Sequence, residues 1–340
     1  MLCFQTVRTK IQAAGAARVR GMYMRSFLIG PNDAGQRLDR FVAKAMPSLP
    51  FSLVQKGVRT KKIRLDGRRA EAGTPLTAGQ TVSVWLRETP SDARTPPPPS
   101  APFDDLDIVF ENEHILLLHK KPGLPVHPDE TASVHTLINQ ARTYLRATGQ
   151  WDPSAEHSFT PALAHRLDRN TGGLVLAAKT AGALRVLNQK FRDREIDKYY
   201  MCLVHGHPRP DTGVLRHYLK RDPEAKRVAV RSDCSDGAKT ALTAYRVLAA
   251  RDGLSLVECR LLTGRTHQIR AQWAAVGHPL LGDGKYGAGS RDRRYGFTHQ
   301  ALYAYKLAFT FTTPAGCLEP LRGRCFALPV PFAEDFRSRD

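Results

Sequence analysis

The sequence predicts an α+β protein with two domains: a small basic N-terminal domain and a larger one built on a mixed, mostly antiparallel sheet. Three observations support this fold class. The chain has 340 residues, and 42% of them are hydrophobic, which suffices for two ordinary cores. A proline run at 96–99 separates the two segments. In the longer segment, helices do not regularly separate the strand-like stretches, which argues against a doubly wound parallel sheet.

Residues 1–25 form a basic extension in which no acidic residue occurs. This extension is disordered, or is a transit peptide for the mitochondrial matrix, or results from a start codon assigned upstream of Met22 or Met24. We favour the misassigned start and a cytoplasmic location, with the mitochondrial matrix as the alternative. The six cysteines form no C-x-x-C pair, which is typical of reduced thiols in a cytosolic protein.

Residues 26–87 are predicted to form the first domain. Apolar residues at helical spacing, proline stops and short β-branched runs indicate two helices followed by two strands, over 38–45, 52–57, 62–65 and 81–85. Residues 88–105 contain the proline run and are predicted to be an extended linker.

Residues 106–340 form the second predicted domain. Strands are predicted over 115–119, 174–179, 199–204, 242–248 and 254–262. Helices are predicted over 136–148, 181–194 and 267–276. The strand-rich order favours a mixed or largely antiparallel sheet with a few flanking helices.

The charge of the chain indicates a polyanionic partner. Lysine and arginine total 51 against 32 acidic residues, for a net charge of +19. Nucleic acid is the partner that this surplus favours. A basic cluster in the first domain is a candidate phosphate-binding surface: Lys56, Arg59, Lys61, Lys62 and Arg64. No run of 18 apolar residues occurs in the sequence, so we predict no membrane-spanning helix.

A carboxylate between two arginines is the candidate catalytic group. Asp168 lies in the segment His165-Arg-Leu-Asp-Arg-Asn-Thr171, just before a turn that leads into a predicted buried strand. Neighbouring cations favour the ionised form that a carboxylate nucleophile requires. The same four residues occur at Arg37-Leu-Asp-Arg40, where Asp39 is expected only to favour a helix N-terminus. The tetrapeptide alone therefore leaves a structural ion pair open for Asp168.

Other motifs carry less information. Residues 282–287 match G-x-G-x-x-G, but Pro279 interrupts the preceding segment and no apolar helix follows. We therefore predict a turn there and no dinucleotide site. Neither a phosphate-binding loop nor a histidine spacing typical of metal sites occurs in the sequence.

Longer motifs show that residues 106–312 resemble the RluA family of pseudouridine synthases. They occur in the family's order, at 120–127, 165–171, 198–200, 262–270 and 277–283. The N-terminal domain resembles an S4-type RNA-binding domain. The arrangement is most similar to family members that modify large-subunit ribosomal RNA.

The resemblance implies isomerisation of uridine to pseudouridine in RNA, with roles for individual residues. Asp168 would be the catalytic aspartate, either attacking ribose C1′ or promoting loss of the 2′ proton. Tyr200 would stack on the uracil, and Arg265 would pair with Asp168. Arg166 would enter the RNA where the target base has left. Arg270, with neighbouring polar residues, would either contact phosphate or pair locally; we predict that it binds RNA.

The resemblance also bears on partners and alternatives. The reaction requires no cofactor and no metal, and we expect a monomer that acts on structured RNA. Large-subunit ribosomal RNA is the expected substrate. The alternatives are a transfer RNA synthase and a non-catalytic RNA-binding or ribosome-assembly protein. Two departures from the family pattern occur: Gly172 stands where a serine is usual, and Tyr303 stands where a histidine is usual.

Overall fold

The computed structural model describes residues 18–19, 22–86, 101–128, 134–222, 224–225, 227–231, 233–287 and 291–337. Contacts divide the chain into two compact units. The first contains Met1–Pro98 and Asp152–Thr160, and the second contains Pro99–Trp151 and Pro161–Asp340. Most of the predicted extension 1–25 and of the predicted linker 88–105 lies outside the described residues.

The N-terminal unit packs two helices on a four-stranded antiparallel sheet. Its elements are β1 (Arg18–Val19), β2 (Met22–Leu28), α1 (Leu38–Ala45), α2 (Phe51–Arg59), β3 (Ile63–Leu65) and β4 (Thr81–Trp85). The strand order is β1-β2-β4-β3. Both helices are amphipathic, and their apolar faces join Phe27, Ile63 and Val82 in one core. The helices and strands predicted from the apolar spacing are confirmed.

A distant segment completes this unit. Ser158 Oγ donates to Asp33 Oδ1 at 2.5 Å, and Asn32 Nδ2 donates to Glu156 Oε1 at 2.6 Å. The His157 ring lies edge-on to Phe27, with the ring centroids 5.3 Å apart. The sequence analysis left these residues in the second domain, because single polar contacts between distant segments produce no periodic pattern.

The second unit is built on one large sheet. Its strands are β5 (Asp107–Glu111), β6 (Ile115–Lys120), β7 (Ala162–Leu163), β8 (Gly172–Ala178), β9 (Ile196–His205), β10 (Thr212–Asp222), β11 (Arg227–Arg231), β12 (Lys239–Arg251), β13 (Leu254–Leu261), β14 (Leu302–Phe309) and β15 (Cys325–Ala327). Its helices are α3 (Leu137–Ala147), α4 (Ala181–Arg192), α5 (Gln268–Ala275) and α6 (Pro331–Arg337), with short 3₁₀ turns between elements.

The strand order confirms a mixed, mostly antiparallel sheet. The main path is β11-β10-β12-β13-β9-β14-β8-β6-β5, with β7 paired to β8 and β15 to β14. Every pairing is antiparallel except that of β14 with β8. Strand β8 is buried along its whole length. Residues on its two faces join two different core clusters, which holds the loop before it firmly.

No helix in the described part of the chain combines the length and the apolar character that crossing a membrane requires.

Candidate active site

The candidate site is a cavity of about 530 Å³ in the second unit, within the usual range for ligand sites. Three segments line it: the loop before β8, strand β9, and the loop that leads into α5. They bring together Asp168, Tyr200, Arg265 and Arg270. Residues up to 102 positions apart therefore meet in one place.

Asp168 is presented by a tight turn. The Thr171 N–H donates to the Asp168 carbonyl at 3.1 Å. The buried Lys120 ammonium donates to the carbonyls of Lys121, Leu124 and Arg169 at 3.0, 2.9 and 2.8 Å. Lys120 thus connects the loop after β6 to the residue that follows Asp168. These contacts restrict the position of the carboxylate, whose side chain stays 25% exposed.

Arg270 holds Asp168 in place. Its Nη1 donates to Asp168 Oδ2 at 2.8 Å, while Nε and Nη2 donate to Asp283 Oδ2 and Oδ1 at 2.7 and 2.9 Å. Asp283 is fully buried, and its turn also supplies the N–H groups of Lys285 and Tyr286 to the carboxylate. The planar guanidinium thus spans two carboxylates, which a lysine ammonium does with less geometric control.

Burial by itself would raise the pKa of Asp283, but hydrogen bonds and charge from Arg270 hold that pKa below its ordinary value. Burial would lower the pKa of Arg270, yet the Asp283 and Asp168 carboxylates raise it. Both groups therefore stay charged at neutral pH. Asp283 lies in segment 282–287, for which the sequence predicts a turn and no dinucleotide site; the Gly287 N–H donates to the Asp283 carbonyl there.

The structure corrects the prediction for the arginine that pairs with Asp168: it is Arg270 and not Arg265. Arg265 is exposed on the cavity wall, and its Nε donates to the Thr240 carbonyl at 3.1 Å. Contact of Arg270 with RNA phosphate stays a prediction, although its guanidinium is turned inward and the residue is 7% exposed. The reason is local geometry. His267 adopts φ 50°, and α5 then starts at Gln268, which turns Arg270 inward.

Tyr200 lies on the cavity side of β9 and is 6% exposed. Burial raises the pKa of its phenol, and the charge of Asp168 raises it further. The phenol is therefore neutral at physiological pH, so it presents a ring face and an O–H group to the cavity. Tyr199 alternates to the other face of the sheet, where the Lys306 ammonium lies 3.9 Å from its ring centroid.

The remaining polar residues of the loop before α5 form hydrogen bonds with neighbouring protein groups. Gln268 accepts from Arg265 N and donates to the Leu242 carbonyl. His267 Nδ1 lies 2.9 Å from the Tyr286 hydroxyl, and its Nε2 lies 3.9 Å from Asp168 Oδ2. Of the two possibilities for this loop, local pairing is confirmed for Gln268 and Arg270.

The predicted RNA-binding residues other than Arg270 are all exposed. Arg166 lies at the rim of the cavity. In the N-terminal unit, the five predicted basic residues lie at the end of α2, in the turn that follows it and in β3, and their side chains all face solvent: Lys56, Arg59, Lys61, Lys62 and Arg64. Their contact with RNA stays a prediction.

His165 is a structural hydrogen-bonding group, as the sequence analysis expected. The Leu176 N–H donates to its Nε2 at 3.2 Å, so the neutral ring carries its proton on Nδ1. Burial, together with the charge of Lys198, lowers the pKa of His165 to about 3. The ring is therefore neutral throughout the physiological range.

This pKa predicts how stability depends on pH. The unfolded chain protonates His165 near pH 6.5, whereas the folded chain does so only near 3. Lowering the pH from 7 to 5 therefore costs about 2 kcal/mol of unfolding free energy through this group. His165→Gln keeps an acceptor for Leu176 and removes the titration. Chemical denaturation of both proteins at several pH values tests this; parallel stability curves would contradict it.

The two departures from the family pattern meet in space. A Cβ at Gly172 would lie 2.6 Å from Cε2 of Tyr303. Tyr303 is held there by His119, which pairs with Asp107 at 2.7 Å. Glycine at 172 thus makes room for the larger ring at 303. Gly173 has a separate requirement, because its φ is 118° and a Cβ would lie 2.1 Å from the Ala304 carbonyl oxygen.

A double-mutant cycle tests this compensation. We expect Gly172→Ser to cost about 1–3 kcal/mol of stability, because the new side chain overlaps the Tyr303 ring. In the Tyr303→His background we expect the cost of Gly172→Ser to be smaller by about 1 kcal/mol or more, because the smaller ring leaves space. Urea denaturation of the four proteins measures the coupling. Strictly additive effects would show that the two positions are independent.

The arrangement suits chemistry at a single carboxylate. Arg270 and the more distant His267 both approach Asp168 Oδ2, which leaves Oδ1 without a partner among the described residues. Oδ1 is therefore available to attack an electrophilic carbon or to accept a proton. Across the described ranges, no group of three or more His, Cys, Asp or Glu side chains is placed to hold a metal ion.

The sequence analysis missed three residues of the site: Lys120, Asp283 and Lys198. Lys120 and Asp283 lie within motifs that the analysis had quoted, and Lys198 starts the segment that ends at Tyr200. Their position inside these motifs was the sequence signal that could have identified them as site residues.

Comparison with known proteins agrees with this geometry. Residues 114–275 match the family model described as RNA pseudouridylate synthase. The chain is 32% identical over 292 residues to ribosomal large subunit pseudouridine synthase C of Vibrio cholerae, covering 83% of this chain and 87% of that protein. It is 30% identical over 324 residues to ribosomal large subunit pseudouridine synthase D of Xylella fastidiosa, covering 92% and 90%.

A solved structure shares the fold. Human RNA pseudouridylate synthase domain containing 1 matches with a TM-score of 0.50 and 24% identity, over 70% of this chain and 97% of that one. Sequence identity of at least 30% over most of both chains, together with an aspartate held by a buried arginine in a deep cavity, leads to one conclusion. This chain belongs to the RNA pseudouridine synthase family, and its activity is the isomerisation of uridine to pseudouridine in RNA.

Proposed function

We propose that the substrate is large-subunit ribosomal RNA. The observation that carries this proposal is the extent of the match to two relatives named as large-subunit enzymes. The Xylella relative covers 92% of this chain, so the likeness includes most of the N-terminal unit as well as the catalytic one. A second RNA-binding unit on the same chain raises the effective concentration of a large structured RNA at the active site.

The N-terminal unit supports this proposal through its surface. The cluster Lys56, Arg59, Lys61, Lys62 and Arg64 is exposed and lies within nine residues of chain. The Arg64 guanidinium lies 5.2 Å from the Trp85 ring centroid, which adds an aromatic surface beside the charges. Cations in this arrangement neutralise phosphates without reading sequence. We propose that this unit is an S4-like RNA-binding domain.

The catalytic cavity suits a uridine that has swung out of its helix. Tyr200 offers a ring face for the uracil, and Asp168 Oδ1 lies free beside it. The N1–C1′ bond breaks with its electron pair moving to N1. Asp168 then either bonds to C1′ or takes the 2′ proton. The base turns and C5 bonds to C1′, while the bond between Asp168 and C1′ breaks or, by the other route, Asp168 returns the proton to C2′. The C5 proton is then lost, and N1 gains one.

We further propose that the protein is a cytoplasmic monomer. All residues of the site come from one chain, so a second copy is not needed to complete it. The described cysteines are free thiols, which fits a reducing compartment. Light scattering tests the monomer: the molar mass measured in solution should equal the chain mass of 37.8 kDa. Fractionation of cells that express the chain with and without residues 1–24 tests the location.

A pseudouridine map tests the substrate. Total RNA from cells that lack the gene is treated with a carbodiimide and mapped, after rescue with wild type or with Asp168→Asn. We expect particular large-subunit uridines to regain the modification with wild type only. A change at transfer RNA sites instead would overturn the proposed substrate and leave the chemistry intact. Identical maps after both rescues would favour a non-catalytic RNA-binding protein.

A further inference from the structure

Lys198 is a half-buried cation on the wall of the catalytic cavity. It lies two residues before Tyr200 on β9, so both side chains project from the same face of the strand. The neighbouring loop passes close to its ammonium, since a Cβ at Gly264 would lie 3.3 Å from Lys198 Nζ. Lys198 therefore faces the same space as Tyr200 and Asp168.

Lys198 has no carboxylate partner among the described residues. Its ammonium lies over the Phe191 ring, 5.2 Å from the ring centroid. Burial lowers the pKa of the ammonium. The other buried lysines of this unit differ: Lys120 donates to three carbonyls, and Lys179 and Lys190 pair with Glu111 and Glu195.

The same wall holds a second donor without an acceptor. The proton on His165 Nδ1 has no hydrogen-bond partner within the described ranges, and His165 is close enough to Lys198 for the two to interact electrostatically. Leaving polar groups unpaired costs stability. Two unpaired donors in a catalytic cavity therefore indicate a ligand that supplies acceptor atoms or negative charge.

The chemistry of the reaction supplies such a ligand. When N1–C1′ breaks, the electron pair stays on the uracil, and the negative charge spreads over N1, O2 and O4. We propose that Lys198 is a further catalytic residue, whose ammonium donates a hydrogen bond to a carbonyl oxygen of the uracil and stabilises the base as it leaves C1′. The ammonium keeps its proton, and the charge is neutralised again once C5 has bonded to C1′.

The position of Lys198 favours the base over a phosphate. The cations at the rim of the cavity, Arg166, Arg169 and Arg265, are exposed, where an RNA backbone passes. Lys198 lies deeper, beside a tyrosine that is almost fully buried. A donor fixed where charge develops acts most strongly in such a shielded place. This inference rests on the pseudouridine synthase activity and adds a residue to it.

Single-turnover kinetics test the proposal. Lys198→Met keeps the length of the side chain and removes the charge. Lys306→Met is the matched control, because Lys306 stacks on Tyr199 at the opposite face of the sheet. The substrates are an RNA fragment in which wild type has formed pseudouridine, and the same fragment with 5-fluorouridine at the target. Fluorine withdraws electrons and stabilises the uracil anion, so cleavage depends less on an added cation.

We expect Lys198→Met to slow glycosidic cleavage of the uridine substrate by about 100-fold. On the 5-fluorouridine substrate we expect a loss of about tenfold or less, with RNA affinity unchanged within about twofold. Lys198→Arg, which retains a donor, should recover part of the rate, and Lys306→Met should behave as wild type.

Two results would overturn the assignment. Equal slowing on both substrates would mean that Lys198 only positions the site. Weaker RNA binding with a normal rate at saturation would mean that it binds a phosphate. Because the test RNA is one that wild type already modifies, a wrong choice of substrate class is detected before these measurements begin.

Discussion

We expect the replacement of Asp168 by asparagine to abolish pseudouridine formation, lowering the rate by about 10⁴-fold or more relative to wild type. The carboxylate oxygen Oδ1 is free while Oδ2 is held by Arg270. Asparagine keeps an oxygen for Arg270, so the loop retains its position. What it loses is the nucleophilic or basic oxygen. The loss therefore falls on the chemical step, and RNA affinity should change little.

Asp197→Asn is the matched control for this change. Asp197 is 20% exposed, close to the 25% of Asp168, and it also pairs with an arginine, Arg260 at 3.5 Å. It lies on the face of β9 opposite Tyr200. Single-turnover assays with RNA in both variants, together with thermal unfolding, measure the effects. An active, well-folded Asp168→Asn protein would remove Asp168 from the mechanism.

Replacing Arg270 by methionine should affect both stability and activity. The change leaves the fully buried Asp283 carboxylate without its counter-ion. Removal of one partner of a buried ion pair costs about 3–5 kcal/mol. The same change releases Asp168 from its 2.8 Å contact, so activity should be lost in any protein that still folds. Arg270→Lys retains a charge but not the two-carboxylate geometry, and should remain severely impaired.

A second substitution separates these two effects. Adding Asp283→Asn to Arg270→Met removes the unpaired buried charge, so much of the lost stability should return while activity does not. Arg265→Met is the control: its guanidinium is exposed and binds the Thr240 carbonyl, and we expect a stability loss below about 0.5 kcal/mol. Urea denaturation and pseudouridine assays on the four proteins measure both quantities. Equal stability losses for Arg265→Met and Arg270→Met would contradict the assignment.

The fold class and the candidate catalytic aspartate could be predicted because both depend on local order in the chain. Apolar spacing marked α1, α3, α4 and α5, and continuous apolar runs marked β6 and β8. The strands β10 and β11 were missed because exposed polar residues interrupt their pattern, with only Leu215, Leu219 and Val228 buried. β11 is the edge strand of the sheet and β10 lies next to it. Strands with so few buried side chains are stabilised largely by backbone pairing, which side-chain periodicity does not report.

The pairing of Asp168 shows the limit of motif spacing. Arg265 and Arg270 belong to one motif, and both are arginines within reach of the loop at 168. The left-handed backbone at His267 and the start of α5 decide which one turns inward. A conformation at one residue thus exchanges the roles of two side chains. Segment 152–160 is a similar case, since its contacts with Asn32 and Asp33 leave no trace in local composition.

The sequence by itself determined the family, the reaction and the candidate aspartate, because motif residues and apolar periodicity are properties of short stretches of chain. Only the tertiary structure decided that Arg270 pairs with Asp168, that Gly172 accommodates Tyr303, and that Lys198 faces the cavity with no carboxylate partner in the described part of the chain. Each of these depends on atoms from distant segments meeting within a few ångströms. Ion pairing, steric exclusion and desolvation act over that range, and they depend on distance in space and not on separation in sequence.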